Sequence, residues 1–304
     1  MCLNKLDGFL NINKPEGISS YDVIRNLKKI IPRSSKLGHL GTLDPWASGV
    51  LPVAVGRATR VIQYLEDERK LYIAEMVLGA ISDTEDSHGN ISYTGTCLYQ
   101  EERLLDILAS LQGRIEQIPP MYSALHHQGK RLYQLARQGI TVERKPRKIE
   151  IYSIQLLSQK LENHLPRLTI EVSCSRGTYI RSLCRDIGEK LGTGAYMSRL
   201  IRKGSGVFKI EDSTALKEIM DNPHNLEGII YPLDYPLQNI PALKLYTAEQ
   251  DIDIINGKSL KWDEALSSGL ARVYSSMGNL LALAQIKEQN GMLLIQPKTV
   301  FIPG

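Results

Sequence analysis

The sequence predicts an α+β protein, a large mixed sheet flanked by helices and followed by a small β domain. Three observations carry that prediction. Apolar runs of strand character recur at residues 9–12, 50–55, 70–78 and 168–174. Stretches with helical apolar spacing, each with its own start and stop residues, lie between them. Beyond Pro241 only short runs broken by turn residues remain. With 304 residues and 42% hydrophobic content, the chain can bury a sizeable core and has room for a second unit.

Phe9, Leu10 and Ile12 open the first strand, and Asn13-Lys14-Pro15-Glu16-Gly17 supplies its turn. Val23, Ile24, Leu27, Ile30 and Ile31 then fall at helical spacing behind Ser19 and Asp22, which form a capping-box pattern, and Pro32 stops the helix. Its basic face (Arg25, Lys28, Lys29) reads as solvated. Val61 to Leu65 reads as a short helix. Lys70 to Leu78 is apolar on both faces, so it belongs in the middle of a sheet, with Tyr72 its one aromatic hydroxyl. Asp83 to Gly89 lacks the glycine position and closing acid of a calcium loop and reads as a polar hairpin turn. Leu104, Leu105, Leu108 and Leu111 mark a helix over 101–112 that Gly113 ends. Leu168 to Cys174 alternates as a strand, and Gly177 turns it into a helix that runs to about Leu191 before Gly192. Runs at 254–258, 270–274, 280–286 and 293–295 suggest the small β domain.

Bulk chemistry narrows the function. Cys2, Cys97, Cys174 and Cys184 show neither a C-x-x-C pair nor a zinc spacing, so reduced thiols are expected. No nucleotide-binding glycine fingerprint, P-loop or metal set is present, and no cofactor is expected. The first residues lack signal-peptide character and no run is long enough for a membrane span, so a cytosolic protein without membrane attachment is expected. The net charge is +4, but it is uneven: from residue 211 onward seven basic residues face twelve acidic ones, against thirty and twenty-one before it. Any nucleic acid should therefore meet mainly the first two thirds. Between Lys130 and Lys148 seven cations face one acid, Glu143, and Tyr122 and Tyr133 lie among or beside them. That mixture suits phosphate neutralisation and base stacking, and it equally suits a solvated linker.

Glycines 38, 41 and 49 with prolines 45 and 52 make residues 38–52 a shaped loop holding His39 and Asp44. Gly41-Thr42-Leu43-Asp44-Pro45 followed by Ala47-Ser48-Gly49 resembles the catalytic loop of the TruB family of pseudouridine synthases. Three further segments match that family in order: Ile118 to Ala124 with Gly129 to Gly139, Ser175 to Arg181, and Gly194 to Phe208. Lys14-Pro15 with Gly17 and Ser19-Ser20 resembles its first motif. The resemblance implies the pseudouridine synthase fold over 1–240, with an RNA-closing insertion at about 118–148, and a PUA-like domain over 241–304. It implies a uridine isomerase acting without cofactor or metal on the T stem-loop of transfer RNA, at position 55, by flipping the base out of its stack.

The same resemblance implies the site. Asp44 acts on the nucleotide, Tyr72 covers the base, and Arg181 pairs with Asp44, lowering its pKa and fixing its direction. Tyr179, Leu200, His39, Lys14, Tyr122, Lys130 and Arg131 are implied on the substrate side, with His39 filling the space the base vacates and Leu200 lying against it. His126, Tyr196 and Ile201 stand where lysine, histidine and arginine are common in the family. The long insertion favours a standalone enzyme with no guide RNA and no obligate protein partner. A guide-dependent ribosomal RNA synthase and a non-catalytic RNA-folding module are the competing expectations.

Overall fold

The computed structural model describes residues 6–65, 69–95, 97–263, 267–289 and 291–302. The first part of the chain runs β1 (Gly8–Lys14), α1 (Ser20–Leu27), β2 (Leu37–His39), β3 (Ser48–Val55), β4 (Lys70–Leu78), a small hairpin of β5 (Ala80–Ser82) and β6 (Ile91–Tyr93), and α2 (Glu101–Ser110). β7 (Gly113–Gln117), a second hairpin of β8 (His126–His127) and β9 (Lys130–Arg131), and α3 (Leu132–Ala136) follow. β10 (Arg147–Glu162), β11 (Leu165–Cys174), α4 (Ile180–Leu191) and β12 (Ala195–Ser205) complete the middle of the large sheet. Short pieces then trim its edge: β13 (Phe208–Lys209), β14 (Thr214–Ala215), α5 (Leu216–Asp221), α6 (Leu226–Ile229) and β15 (Ile230–Tyr231).

The large sheet has eleven strands, its main path running β14-β1-β3-β12-β4-β11-β10-β7. β4 lies at its centre between β12 and β11, both antiparallel to it, as its two apolar faces required. α1 carries the expected capping box, with the Ser19 hydroxyl accepting from the Asp22 amide and Asp22 reaching back to the Ser19 amide. α4 ends on Gly192 in the left-handed region, φ 79°. The apolar faces of α1, α2 and α4 cover one side of the sheet with Leu27, Leu104, Leu183 and Ile187 fully sequestered.

Three expectations are corrected. Residues 38–52 are not all loop: Leu37–His39 and Ser48–Val55 are strands, and only the stretch between them is irregular. Pro52 therefore sits inside β3, where a proline is unexpected. On one edge β3 pairs with β1 throughout; on the other it pairs with β2 only at residues 53–55 and with β12 only at 48 and 49. Between these stretches β3 has no strand partner on that edge; Pro52, which has no N–H to place there, only accepts, from the Leu40 amide at 2.9 Å. The short helix expected over Val61 to Leu65 is a 3-10 helix, Ile62–Tyr64, preceded by another at Gly56–Arg60, not an α-helix. Ile254 and Ile255 end a helix, α7 (Ala248–Ile255), instead of forming a strand, because Thr247 and Gln250 make a capping box that starts it.

The second sheet comprises β16 (Ala242–Lys244), β17 (Leu260–Trp262), β18 (Gly269–Tyr274), β19 (Leu280–Gln289) and β20 (Met292–Val300), in the order β16-β18-β19-β20-β17. It is joined to the large sheet by a shared apolar cluster in which Leu283 and Phe301 meet Phe9, Val50 and Phe208. Arg60 donates to the Val300 carbonyl at 2.7 Å, and Tyr64 and Thr299 share a hydroxyl hydrogen bond of 2.7 Å. No helix among the described residues is long and apolar enough to cross a membrane.

Candidate active site

The irregular stretch between β2 and β3 is held from beneath by the turn after β1. Ser20, buried at the start of α1, uses its hydroxyl twice on Leu43, accepting from its amide at 2.8 Å and donating to its carbonyl at 3.0 Å. The Gly17 amide donates to the Pro45 carbonyl at 2.9 Å. The Lys14 side chain is 0% exposed, and its ammonium donates to the carbonyls of Ile18 (2.7 Å), Pro15 (2.8 Å) and Pro45 (3.1 Å). An ammonium has three protons, so none is left for a phosphate. Lys14 is therefore not placed as a substrate contact; it braces the loop. Its pKa is lowered to about 8, burial outweighing the pull of Asp44 and Glu16.

From the far side comes Arg202, 0% exposed, whose guanidinium reaches β3 at Val50. Its Nε donates to the Val50 carbonyl at 2.6 Å and one terminal nitrogen to the Gly41 carbonyl at 3.1 Å. Its charge also acts on the Tyr72 hydroxyl, which lies on the neighbouring strand in register with it. Gly49 permits this approach: at φ +103°, any Cβ there would lie 2.2 Å from the Arg202 carbonyl oxygen. The loop is thereby fixed at both ends by backbone carbonyls bound to buried cations.

Asp44 projects from this braced loop. Its Oδ2 meets the Arg181 guanidinium at 3.1 Å, and its side chain remains 34% exposed, so the carboxylate is paired yet open. Arg181 enters from the first turn of α4, where Gln117 clamps the Tyr179 backbone by accepting from its amide at 2.8 Å and donating to its carbonyl at 3.0 Å. The arginine donates to the carbonyls of Tyr122 (2.8 Å) and Thr84 (3.2 Å) and faces a second carboxylate, Asp86, at 3.5 Å. Asp86 is itself held by the Thr84 hydroxyl at 2.7 Å and the His88 amide at 2.9 Å.

The electrostatics reverse one expectation. Burial pushes the Asp44 carboxyl above the ordinary carboxylate range; Arg181 pulls it back and Asp86 adds to the rise, leaving the net direction upward. Arginine pairing does not lower it, because burial outweighs that pull and Asp86 adds to the rise. Tyr72 is buried, and burial raises its phenol well beyond any opposing pull from Arg202, so it is a neutral hydroxyl at neutral pH. The charge of Asp44 also acts on Tyr72, placing the two groups in one electrostatic neighbourhood. His39 is lowered by burial first, then by Arg202 and Lys70, so its imidazole is neutral; its Nδ1 is buried without a hydrogen-bond partner.

This constellation sits on a chain with extensive family likeness. The profile described as TruB family pseudouridylate synthase (N terminal domain) matches residues 28–180, and that of the tRNA pseudouridylate synthase B C-terminal domain matches residues 181–238. The tRNA pseudouridine synthase B of Syntrophomonas wolfei is 52% identical over 97% of this chain and 99% of its own length. The chain belongs to the TruB family of pseudouridylate synthases. The Clostridium kluyveri tRNA pseudouridine synthase B is 44% identical over 93% of this chain and 96% of its own. Among solved structures, a chain from an H/ACA RNP bound to a substrate RNA containing 2′-deoxyuridine aligns with a TM-score of 0.72 at 26% identity, covering 97% of this chain and 85% of that one.

Of the residues that the TruB resemblance implied, the fold draws Asp44, Tyr72, Arg181 and Tyr179 toward one place, while His39 stands on β2 and Leu200 is buried in the core on β12. Tyr122 reaches the site through its carbonyl. Lys130 and Arg131 are exposed on the β8–β9 hairpin. Arg202 and Asp86 were not singled out in the sequence. Arg202 lies in a run of charged and small residues that reads as surface, and Asp86 in a turn whose polarity suffices for a solvent role.

Proposed function

We propose that this chain is a standalone transfer-RNA pseudouridine synthase that isomerises the uridine at position 55 of the T arm. The observation that carries this reading is the paired but open carboxylate, Asp44 on Arg181 at 3.1 Å, beside a buried neutral phenol. In the reaction the bond between N1 of the base and C1′ of the sugar breaks, the base turns, and C5 bonds to C1′. The C5 proton is lost and N1 gains one, so no oxidant, reductant or net water is consumed. Asp44 acts on the sugar as the base departs, and it must be ionised to do so. Arg181 keeps its charge and direction. Tyr72 packs on the base, and Leu200 supplies an apolar wall.

The target uridine is stacked in the folded arm and has to be extruded, at a cost of a few kcal/mol. Lys130, Arg131 and Tyr122 on the insertion offset that cost through phosphate and base contacts, and the neutral His39 takes the vacated space. Residues 1–240 form the catalytic domain and 241–304 a PUA-like domain in this reading, with transfer RNA as the one partner, no guide RNA, and a cytoplasmic setting. The identity of 52% to a tRNA pseudouridine synthase B, against 26% to the H/ACA RNP chain, supports the standalone form. Incubation with a purified, unmodified T stem-loop and no other RNA tests it: pseudouridine forms at one position. A guide-dependent enzyme leaves that RNA unchanged, and an RNA-folding module retains its function after Asp44→Asn.

A further inference from the structure

The catalytic loop has a third fastening that the chemistry above does not use. Trp46, two residues beyond Asp44, stacks on His88, ring centroids 5.7 Å apart and planes within 17°. His88 belongs to the β5–β6 hairpin turn, the same turn that presents Asp86 to Arg181. That turn is itself tied to the large sheet: the Ser87 amide donates to the Met197 carbonyl at 3.0 Å, and the Met197 amide to the Glu85 carbonyl at 3.1 Å. The His88 side chain is 59% exposed, so the ring adds little to the buried core. Lys14, Gly17 and Arg202 hold the loop from below and behind, while the stack is its tie to the element bearing the second carboxylate.

We infer that His88 is a positioning residue for Asp44: through Trp46 it pins the catalytic loop to the hairpin that carries Asp86, setting how the two carboxylates share Arg181. This rests on the synthase reading above. The aromatic face is what joins the two elements, since the His88 Nδ1 meets only groups of its own turn, the Ser87 hydroxyl at 3.4 Å and Asp86 at 3.9 Å, and the hairpin is anchored without it. An aromatic contact of this kind is worth about three- to tenfold in a rate that depends on it.

The test measures single-turnover pseudouridine formation and RNA affinity on a T stem-loop for wild type, His88→Ala, His88→Phe, Trp46→Phe, Trp46→Ala and the double variant Trp46→Ala/His88→Ala. The expected result is a rate about three- to tenfold lower for His88→Ala with unchanged affinity, and recovery in His88→Phe. Trp46→Phe keeps most of the rate, and the double variant is no slower than the slower single one. An unchanged rate in His88→Ala overturns the inference. So does a His88→Phe as slow as His88→Ala, a change in affinity alone, or effects that multiply. A wild-type protein that forms no pseudouridine overturns the synthase reading instead, and the two failures are thereby told apart.

Discussion

Two acids compete for one guanidinium: Arg181 meets Asp44 at 3.1 Å and Asp86 at 3.5 Å. Asp86 raises the Asp44 carboxyl in addition to the larger effect of burial. Activity needs the ionised carboxylate, so it is present above the Asp44 pKa and lost as pH falls through it. Asp86→Asn removes the like charge and lowers that pKa, and the acid limb of the pH–rate profile should move to lower pH. Single-turnover rates across the acid range check the direction; a limb that stays or moves upward contradicts the sharing of Arg181. Neither Asp86 nor Arg202 was legible in the sequence, since an acid in a polar turn and an arginine in a basic run have ordinary surface explanations. Both acquire roles only through long-range closure: Arg202 reaches Gly41 across 161 positions, and Arg181 reaches Thr84 across 97.

Elements differed in legibility according to how regular their patterns are. α1 and α4 were readable because each combines 3.6-residue periodicity with a cap, and Ser19→Ala should cost about 1 kcal/mol in urea unfolding through the lost cap. β12 was not resolved as a strand. Its pairing with β4 slips between Met197 and Arg199 and again between Arg202 and Gly204, and each bulge shifts the inside–outside alternation by one. β3 was half-legible, because Gly49 and Pro52 signal a loop although both lie in a strand. Gly49 is the more constrained of the two. Gly49→Ala drives a Cβ to 2.2 Å from the Arg202 carbonyl oxygen at φ +103°, and should cost about 3–5 kcal/mol, seen as a lower denaturant midpoint. A change below about 0.5 kcal/mol would contradict the close approach of β3 and β12.

Across the whole molecule, the site and the cations expected to hold RNA stand on different elements. The carboxylate pair sits where the loop before β3, the β5–β6 turn and α4 converge, while Lys130 and Arg131 stand exposed on a two-stranded hairpin. Lys130→Ala and Arg131→Ala should each weaken T stem-loop binding and make the slope of log K against log salt shallower by about 1, with the rate of the bound complex preserved. The α+β class and the second β unit were legible from periodicity and turn residues. The strand order β14-β1-β3-β12-β4-β11-β10-β7 was not, because the pairing of segments as far apart as Ile12 and Thr214 leaves no local pattern. The role of Asp44 is decided by pseudouridine mapping in an unmodified T stem-loop after treatment with wild type and Asp44→Asn, with RNA affinity measured in parallel. Wild type is expected to give one pseudouridine and Asp44→Asn none, at equal affinity. Pseudouridine formed by Asp44→Asn would contradict that role.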